Sequence, residues 1–129
     1  MQGRINYSSG AVWEDVVGYS RAVKIGNQVE VSGTVASDEN GNVVGREDAY
    51  QQTAFILQKI ERALLKAGAS LKDVVRTRMF VTDISRFNEY AKAHSEAFSD
   101  IRPCTSMYEV KALVGPEFLI EIEATAFLS

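Results

Sequence analysis

One cysteine, one histidine, one tryptophan and two prolines in 129 residues each close off a class of answer. Cys104 has no partner for an internal disulfide. With His94 as the single imidazole there is no Cys/His set at metal-ligand spacing, so no structural zinc, and no other metal or cofactor, is expected. No segment approaches the roughly 18 consecutive apolar residues of a membrane-spanning helix. The opening Met1-Gln2-Gly3-Arg4-Ile5-Asn6 lacks the apolar core of a secretory signal, so a cytoplasmic protein with no membrane association is expected. Basic charge is not in excess either. Fourteen Lys and Arg against seventeen Asp and Glu, interspersed, give a net charge of -3, which is no electrostatic footprint for nucleic acid. What remains is a chain of 46% hydrophobic content without low-complexity runs. It has the size of one compact domain spanning residues 1–129, with small molecules or proteins as its partners.

Short alternating runs are separated by two helical stretches. Ser20 to Ile25 and Val29 to Thr34 flank Gly26-Asn27, a two-residue turn signal, and predict a β-hairpin. Asp38 to Asn42 is a polar turn. Asp48, three residues before Gln51, resembles a capping box for a helix over about Ala49 to Ala67, with Tyr50, Ala54, Leu57, Ile60 and Leu64 on its apolar stripe and Gly68 as its C-terminal cap. Val74 to Thr82 is rich in β-branched residues. Alternation sends Val75, Thr77, Met79 and Val81 to one side and Arg76, Arg78, Phe80 and Thr82 to the other. A second helix over about Ile84 to Phe98 carries Phe87, Tyr90, Ala91, His94 and Phe98 on one stripe. Two strands, near Thr105 to Lys111 and Phe118 to Phe127, close the pattern.

The order β-β-α-β-α-β-β has too many strands at its ends for a doubly wound sheet. It implies a two-layer α+β domain, a mixed sheet with two helices on one face. The bare face of that sheet must then be solvated or buried against another molecule.

The last quarter of the chain narrows the reading. Arg102-Pro103-Cys104-Thr105-Ser106-Met107-Tyr108-Glu109-Val110, followed by Leu119-Ile120-Glu121-Ile122-Glu123-Ala124, resembles the signature of the Rid family, the reactive intermediate deaminases also called YjgF-like proteins. The resemblance extends to Val17-Gly18-Tyr19-Ser20, Val31-Ser32-Gly33-Thr34 and Val81-Thr82-Asp83. It implies a chorismate-mutase-like fold and a homotrimer whose open sheet faces meet, leaving small-molecule clefts between subunits. It also implies that Tyr19, Ser32 and Gly33 line the cleft and that Glu121 positions the hydrolytic water. Three positions depart from the pattern. Thr105 stands where the family arginine holds the substrate carboxylate, Ala91 where many members carry an asparagine, and Met107 where a small residue or cysteine is usual.

The missing arginine has a calculable weight. Its fork makes two charge-assisted bonds of roughly 1.5 to 3 kcal/mol each, against about 1 kcal/mol for a threonine hydroxyl. Binding of a 2-imino acid weakens by a factor on the order of ten to several hundred unless another cation replaces it. Arg78 and Arg102 are the candidates, each with surface or interface pairing as the plainer role. Glu121 and Glu123 share one side of the last strand, opposite Ile120 and Ile122. If that face turns inward, an acid there acquires the raised pKa of a general base or water-orienting group. His94 is either a packing residue with one hydrogen bond or an acid, base or anion donor at the cleft. Cys104 reads as a buried, inert thiol, since no base stands beside it in the sequence. Trp13 reads as core unless it walls the cleft.

Two functions follow. One is a hydrolase of imine or enamine intermediates, releasing a carbonyl product and ammonia, with Glu121 catalytic and Tyr19, Ser32, Gly33, Thr105, Met107, Arg78 and His94 binding a substrate shifted by Thr105. The alternative is a non-catalytic metabolite-binding or regulatory trimer. An RNA-cleaving role, attributed to some members of the family, is opposed by the acidic balance.

Overall fold

The hairpin signal seeds the sheet. Gly26 takes a φ of 61°, the left-handed conformation that a two-residue turn requires and a side chain resists. It joins β2 (Ala22–Ile25) to β3 (Gln28–Thr34) in antiparallel register, with Ala22 opposite Val31 and Ile25 opposite Gln28. The computed structural model, which describes residues 3–129, extends this hairpin into a six-stranded mixed sheet. Around it, in chain order, stand β1 (Arg4–Tyr7) and the short helix α1 (Val12–Val17) before the hairpin. After it come α2 (Ala49–Lys66), β4 (Val74–Val81), α3 (Phe87–Phe98), β5 (Cys104–Glu109) and β6 (Ile120–Phe127). The strand order across the sheet is β1-β2-β3-β6-β4-β5. Neighbours are antiparallel except β4 and β5, the parallel pair that α3 connects as a crossover. The expected order is therefore present, with β1 and the third helix, α1, standing ahead of it.

The core lies between the sheet and the pair α2 and α3. Val29 and Val31 of β3, Met79 and Val81 of β4, and Ile120, Ile122 and Ala124 of β6 meet Ile56, Ile60 and Leu64 of α2 and Tyr90 and Phe98 of α3. Helix α2 starts and stops where the sequence signals it. The Asp48 side chain accepts a hydrogen bond from Gln51 N at 2.9 Å, and Gly68, at φ 83°, ends the helix in the left-handed conformation. Its buried face is turned relative to expectation, because two polar residues lie inside. Thr53 Oγ1 donates to Ala49 O at 2.8 Å. The Gln52 carboxamide donates to Gly45 O and Glu117 O and accepts from Leu119 N, tying the approach to β6 onto the helix. Satisfied in this way, Gln52 and Thr53 are buried at no desolvation penalty, while Tyr50 and Ala54 lie half-exposed and Tyr50 donates to Glu96 of α3.

Four further expectations need correction. A register irregularity between Val74 and Arg76 turns Val74 inward and leaves Val75 44% exposed, so the buried side of β4 is Val74, Thr77, Met79 and Val81. Residues Ile84–Arg86 form a 3-10 turn, its Ile84 amide held by Glu109 and its Ser85 amide by the Asp83 side chain, and the α-helix begins only at Phe87. Within α3, Tyr90, Ala93 and Phe98 are buried, whereas Phe87 is exposed and Ala91 and His94 are half-buried at the sheet's β5 edge. Trp13, on α1, is exposed and not core.

Candidate functional site

Strand alternation sorts the site residues onto two sides of the sheet. On β6, Ile120 and Ile122 point under the helices, so Glu121 and Glu123 point to the open face. The same face takes Arg78 and Phe80 of β4, which pair with Glu123 and Glu121 respectively. β3 carries an irregularity between Val31 and Thr34, so that Ser32 and Gly33 bulge opposite Glu123. The bulge has a use. Glu121 lies so close over Gly33 that a β-carbon at that position would collide with its Oε2, and glycine is the residue that fits.

Around this point gather Tyr19, Arg21 and Ser32. Ser32 Oγ donates to Ser20 O at 2.6 Å, and Ser32 N to Arg21 O at 3.0 Å. Arg21 Nη2 donates to Gly33 O at 2.7 Å, and its guanidinium stands 5.7 Å from the centre of the Tyr19 ring. The Glu121 carboxyl is half-buried, and its pKa is raised, first by burial and then by the charge of Glu123, with Arg21 acting in the opposite direction. Of the residues expected here, Tyr19, Ser32, Gly33 and Glu121 stand together. Arg21 was not expected. Its signal was a basic residue two positions after Tyr19 with the alternation that faces it to the open side.

The second cluster lies beneath α3 at the β5 edge. Thr77 and Thr105 are partners across the parallel β4–β5 pair, as are Met79 and Met107, and all four face the helix. The hydroxyls of Thr77 and Thr105 are 2.7 Å apart, Thr77 Oγ1 is 2.9 Å from His94 Nε2, and Thr105 Oγ1 is 3.5 Å from the same nitrogen. The His94 ring packs on Phe98, and burial lowers its pKa, favouring the neutral imidazole. Met79, Phe87, Ala91, His94, Ser95, Thr105 and Met107 line a cavity of about 290 Å³ there. A neighbouring cavity of about 270 Å³ shares His94 and Ser95 and reaches Arg102. His94 thus packs on Phe98, bonds to Thr77, and lies at the limit of hydrogen-bond reach of Thr105.

The two clusters lie on opposite sides of one sheet, and a single chain does not bring them together. Arg78 faces the open side with Glu123 and not the Thr105 cavity. Cys104 is exposed, contrary to the buried thiol expected, because β5 is an edge strand and position 104 faces its open side. Among the described residues no group of three or more His, Cys, Asp or Glu is placed to share a metal ion, and no helix is long and apolar enough to cross a membrane.

The family model described as endoribonuclease L-PSP matches residues 11–128. The chain belongs to this YjgF/Rid family. Rv2704 of Mycobacterium tuberculosis, whose crystal structure is described as that of a YjgF/YER057c/UK114 member, is 51% identical. It superposes with a TM-score of 0.89, covering 98% of this chain and all of that one. The Rid protein YyfA of Yersinia pestis, described as of unknown function, is 27% identical with a TM-score of 0.84, over 98% of this chain and 100% of its own. The 3-aminoacrylate deaminase RutC of Acinetobacter baylyi is 39% identical over 108 residues, 84% of this chain and 85% of that protein. YjgF/Rid membership fits the fold.

Proposed function

We propose that the protein is a cytoplasmic imine or enamine deaminase, acting at clefts completed between the subunits of a homotrimer. The observation that carries this is Glu121, a half-buried acid with a raised pKa pressed over Gly33 at the β3 bulge. The carboxylate orients a water toward the electrophilic carbon of a bound imine and accepts its proton as the C–O bond forms. Glu121 returns that proton to the nitrogen of the carbinolamine, and ammonia leaves as the C–N bond breaks, the hydroxyl giving up its own proton to the carboxylate as the carbonyl forms. Water is the only co-reactant, so the reaction needs no cofactor. The likeness to a 3-aminoacrylate deaminase supports the reaction class.

Assembly is supported by the two-sided layout. The Glu121 and Thr105 clusters combine into one cleft only if a second copy supplies one of them, and the open face carries Ile25, Tyr108 and Phe127 half-exposed for such a contact. RNA is not the substrate we propose. The net charge is -3, and the open face sets Glu30, Glu121 and Glu123 among Arg76 and Arg78.

The test is ammonia release from enzymatically generated imines, with and without a carboxylate, by the wild type and Glu121→Gln. The expected result is a drop of about 10²- to 10⁴-fold in the variant, the span of a lost acid–base group, with the assembly intact. A background rate for the wild type across the panel, with trimers intact, supports the non-catalytic metabolite-binding trimer instead.

A further inference from the structure

Arg21 makes no direct ion pair among the described residues, although its charge acts on both Glu14 and Glu121. Among the described residues Arg86 and Glu89 form the one ion pair. Glu14, the nearer acid on α1, already receives the Ser9 amide and hydroxyl on Oε2. Of the five N–H donors of the guanidinium, one is spent on Gly33 O, and Nε is buried with no acceptor at all. A buried, unsatisfied donor on a cation is costly to keep, yet the guanidinium is held in place twice, through Nη2 on the Gly33 carbonyl and over the Tyr19 ring. Lys59 adds to the positive field from α2, its ammonium bonded to neutral acceptors, the Val35 and Ser37 carbonyls. Gly33 thus has a fixed cation at its carbonyl and the Glu121 carboxyl over its α-carbon. An anionic group fits the first and a hydrolytic water the second.

We propose that Arg21 is the specificity-determining cation of this site, holding the carboxylate of a short 2-imino acid or of its 2-oxo acid product. The inference rests on the deaminase reading for the imine but is tested by binding alone. It places recognition of the acid on the Tyr19 side of the cleft, where the family signature at Thr105 offers only a hydroxyl.

The experiment is calorimetric titration of the assembled protein with pyruvate and with methyl pyruvate, comparing wild type, Arg21→Gln, Arg21→Lys, Arg102→Gln and an exposed control, Arg46→Gln. The wild type is expected to prefer the acid over the ester. Arg21→Gln should cut that preference about tenfold to a hundredfold, the ratio that one charge-assisted hydrogen bond supports, with the ester unaffected. Arg46→Gln should leave both unchanged. Arg21→Gln also removes the bond to Gly33 O, so Arg21→Lys supplies an independent reading if the first variant does not fold: a point charge keeps part of the preference. No preference in the wild type, an unchanged one in Arg21→Gln, a complete loss in Arg21→Lys, or a loss in Arg102→Gln instead would overturn the inference. Ammonia release separates the two readings. An Arg21-dependent preference without turnover sinks the deaminase and keeps the anion site, and Glu121-dependent turnover without that preference does the reverse.

Discussion

Around Gly33 the open face of the sheet carries charges, Arg21 and Glu121, whereas beneath α3 the Thr105 cluster is made of two hydroxyls and a neutral imidazole. Both are polar sites on adjoining strands of one sheet, and they differ in what covers them. Thr77 is fully buried under the helix, and an ion there needs a partner close at hand, since desolvating a charge costs several kcal/mol more than desolvating a hydroxyl. Hydroxyls that bond to one another and to His94 satisfy that layer without one. On the open face no helix intervenes, and water or a second copy of the chain reaches the groups. Ionised chemistry therefore belongs to the open side, and shape and neutral hydrogen bonding to the covered side.

The substitution that tests this division most severely is Thr105→Arg, which carries charge to the neutral side. Thr77 and His94 remain 2.9 Å apart and can bond to each other without Thr105, and the cavity of about 290 Å³ gives the longer side chain room. In an Arg21→Gln background, which leaves the carboxylate no other cation, activity on 2-aminoacrylate should rise by a factor on the order of ten to several hundred, the value of a guanidinium fork over a hydroxyl. An unchanged rate, measured as ammonia release, would mean that the neutral side no longer faces the reacting carbon. Gly33→Ala disturbs the charged side instead. The added methyl meets Glu121 Oε2 and pushes the carboxyl from its seat, so turnover should fall about tenfold or more, as expected of a small misplacement of a catalytic group. Because the displaced atoms end a flexible side chain, the melting temperature should move far less than the rate.

Thr77→Val asks how much the neutral network contributes to folding. The change keeps the volume and removes the hydroxyl that both Thr105 and His94 share; because Thr105 is exposed and His94 half-buried, a loss of about 1 kcal/mol, the net value of a hydrogen bond, is expected in urea unfolding. A neutral outcome would show that water replaces Thr77.

The sequence made one side of this comparison more legible than the other. Alternation along Ile120-Glu121-Ile122-Glu123 placed both acids on one face, and Gly26-Asn27 located the hairpin, because both signals are local. Tyr19, Ser32 and Gly33 were found through a resemblance, not through any pattern of their own. The bulges at Ser32-Gly33 and at Val75 are settled by pairing with β6, a strand about ninety and about fifty residues further on, so the alternation of an isolated run misassigned Val75. Gln52 and Thr53 fall outside the expected apolar stripe and are core, since their partners lie on Gly45, Glu117 and Leu119 or on their own helix. Thr105 was read as the place of a lost cation. The structure adds what Thr105 bonds to, the Thr77 hydroxyl, which no spacing in the sequence reveals.

The smallest expected effect concerns His94 and pH. Burial holds its pKa below the ordinary value of 6.5, so the fold favours the neutral ring. The sign follows from linkage. A depressed pKa contributes stability that is fully present above pH 6.5 and is lost as the pH falls toward the folded value, because the unfolded chain then binds the proton more readily. The ring faces the hydroxyls of Thr77 and Thr105 and the ring of Phe98, with Arg102 lining the adjoining cavity, and none of these welcomes a second positive charge. Between about pH 8 and about pH 5, a span bracketing histidine titration, the melting temperature of the wild type should fall relative to His94→Gln, whose amide does not titrate. Parallel curves would mean that the imidazolium finds an acceptor in the assembled protein, a carboxylate contributed by a neighbouring copy, and the covered side would then not be neutral after all.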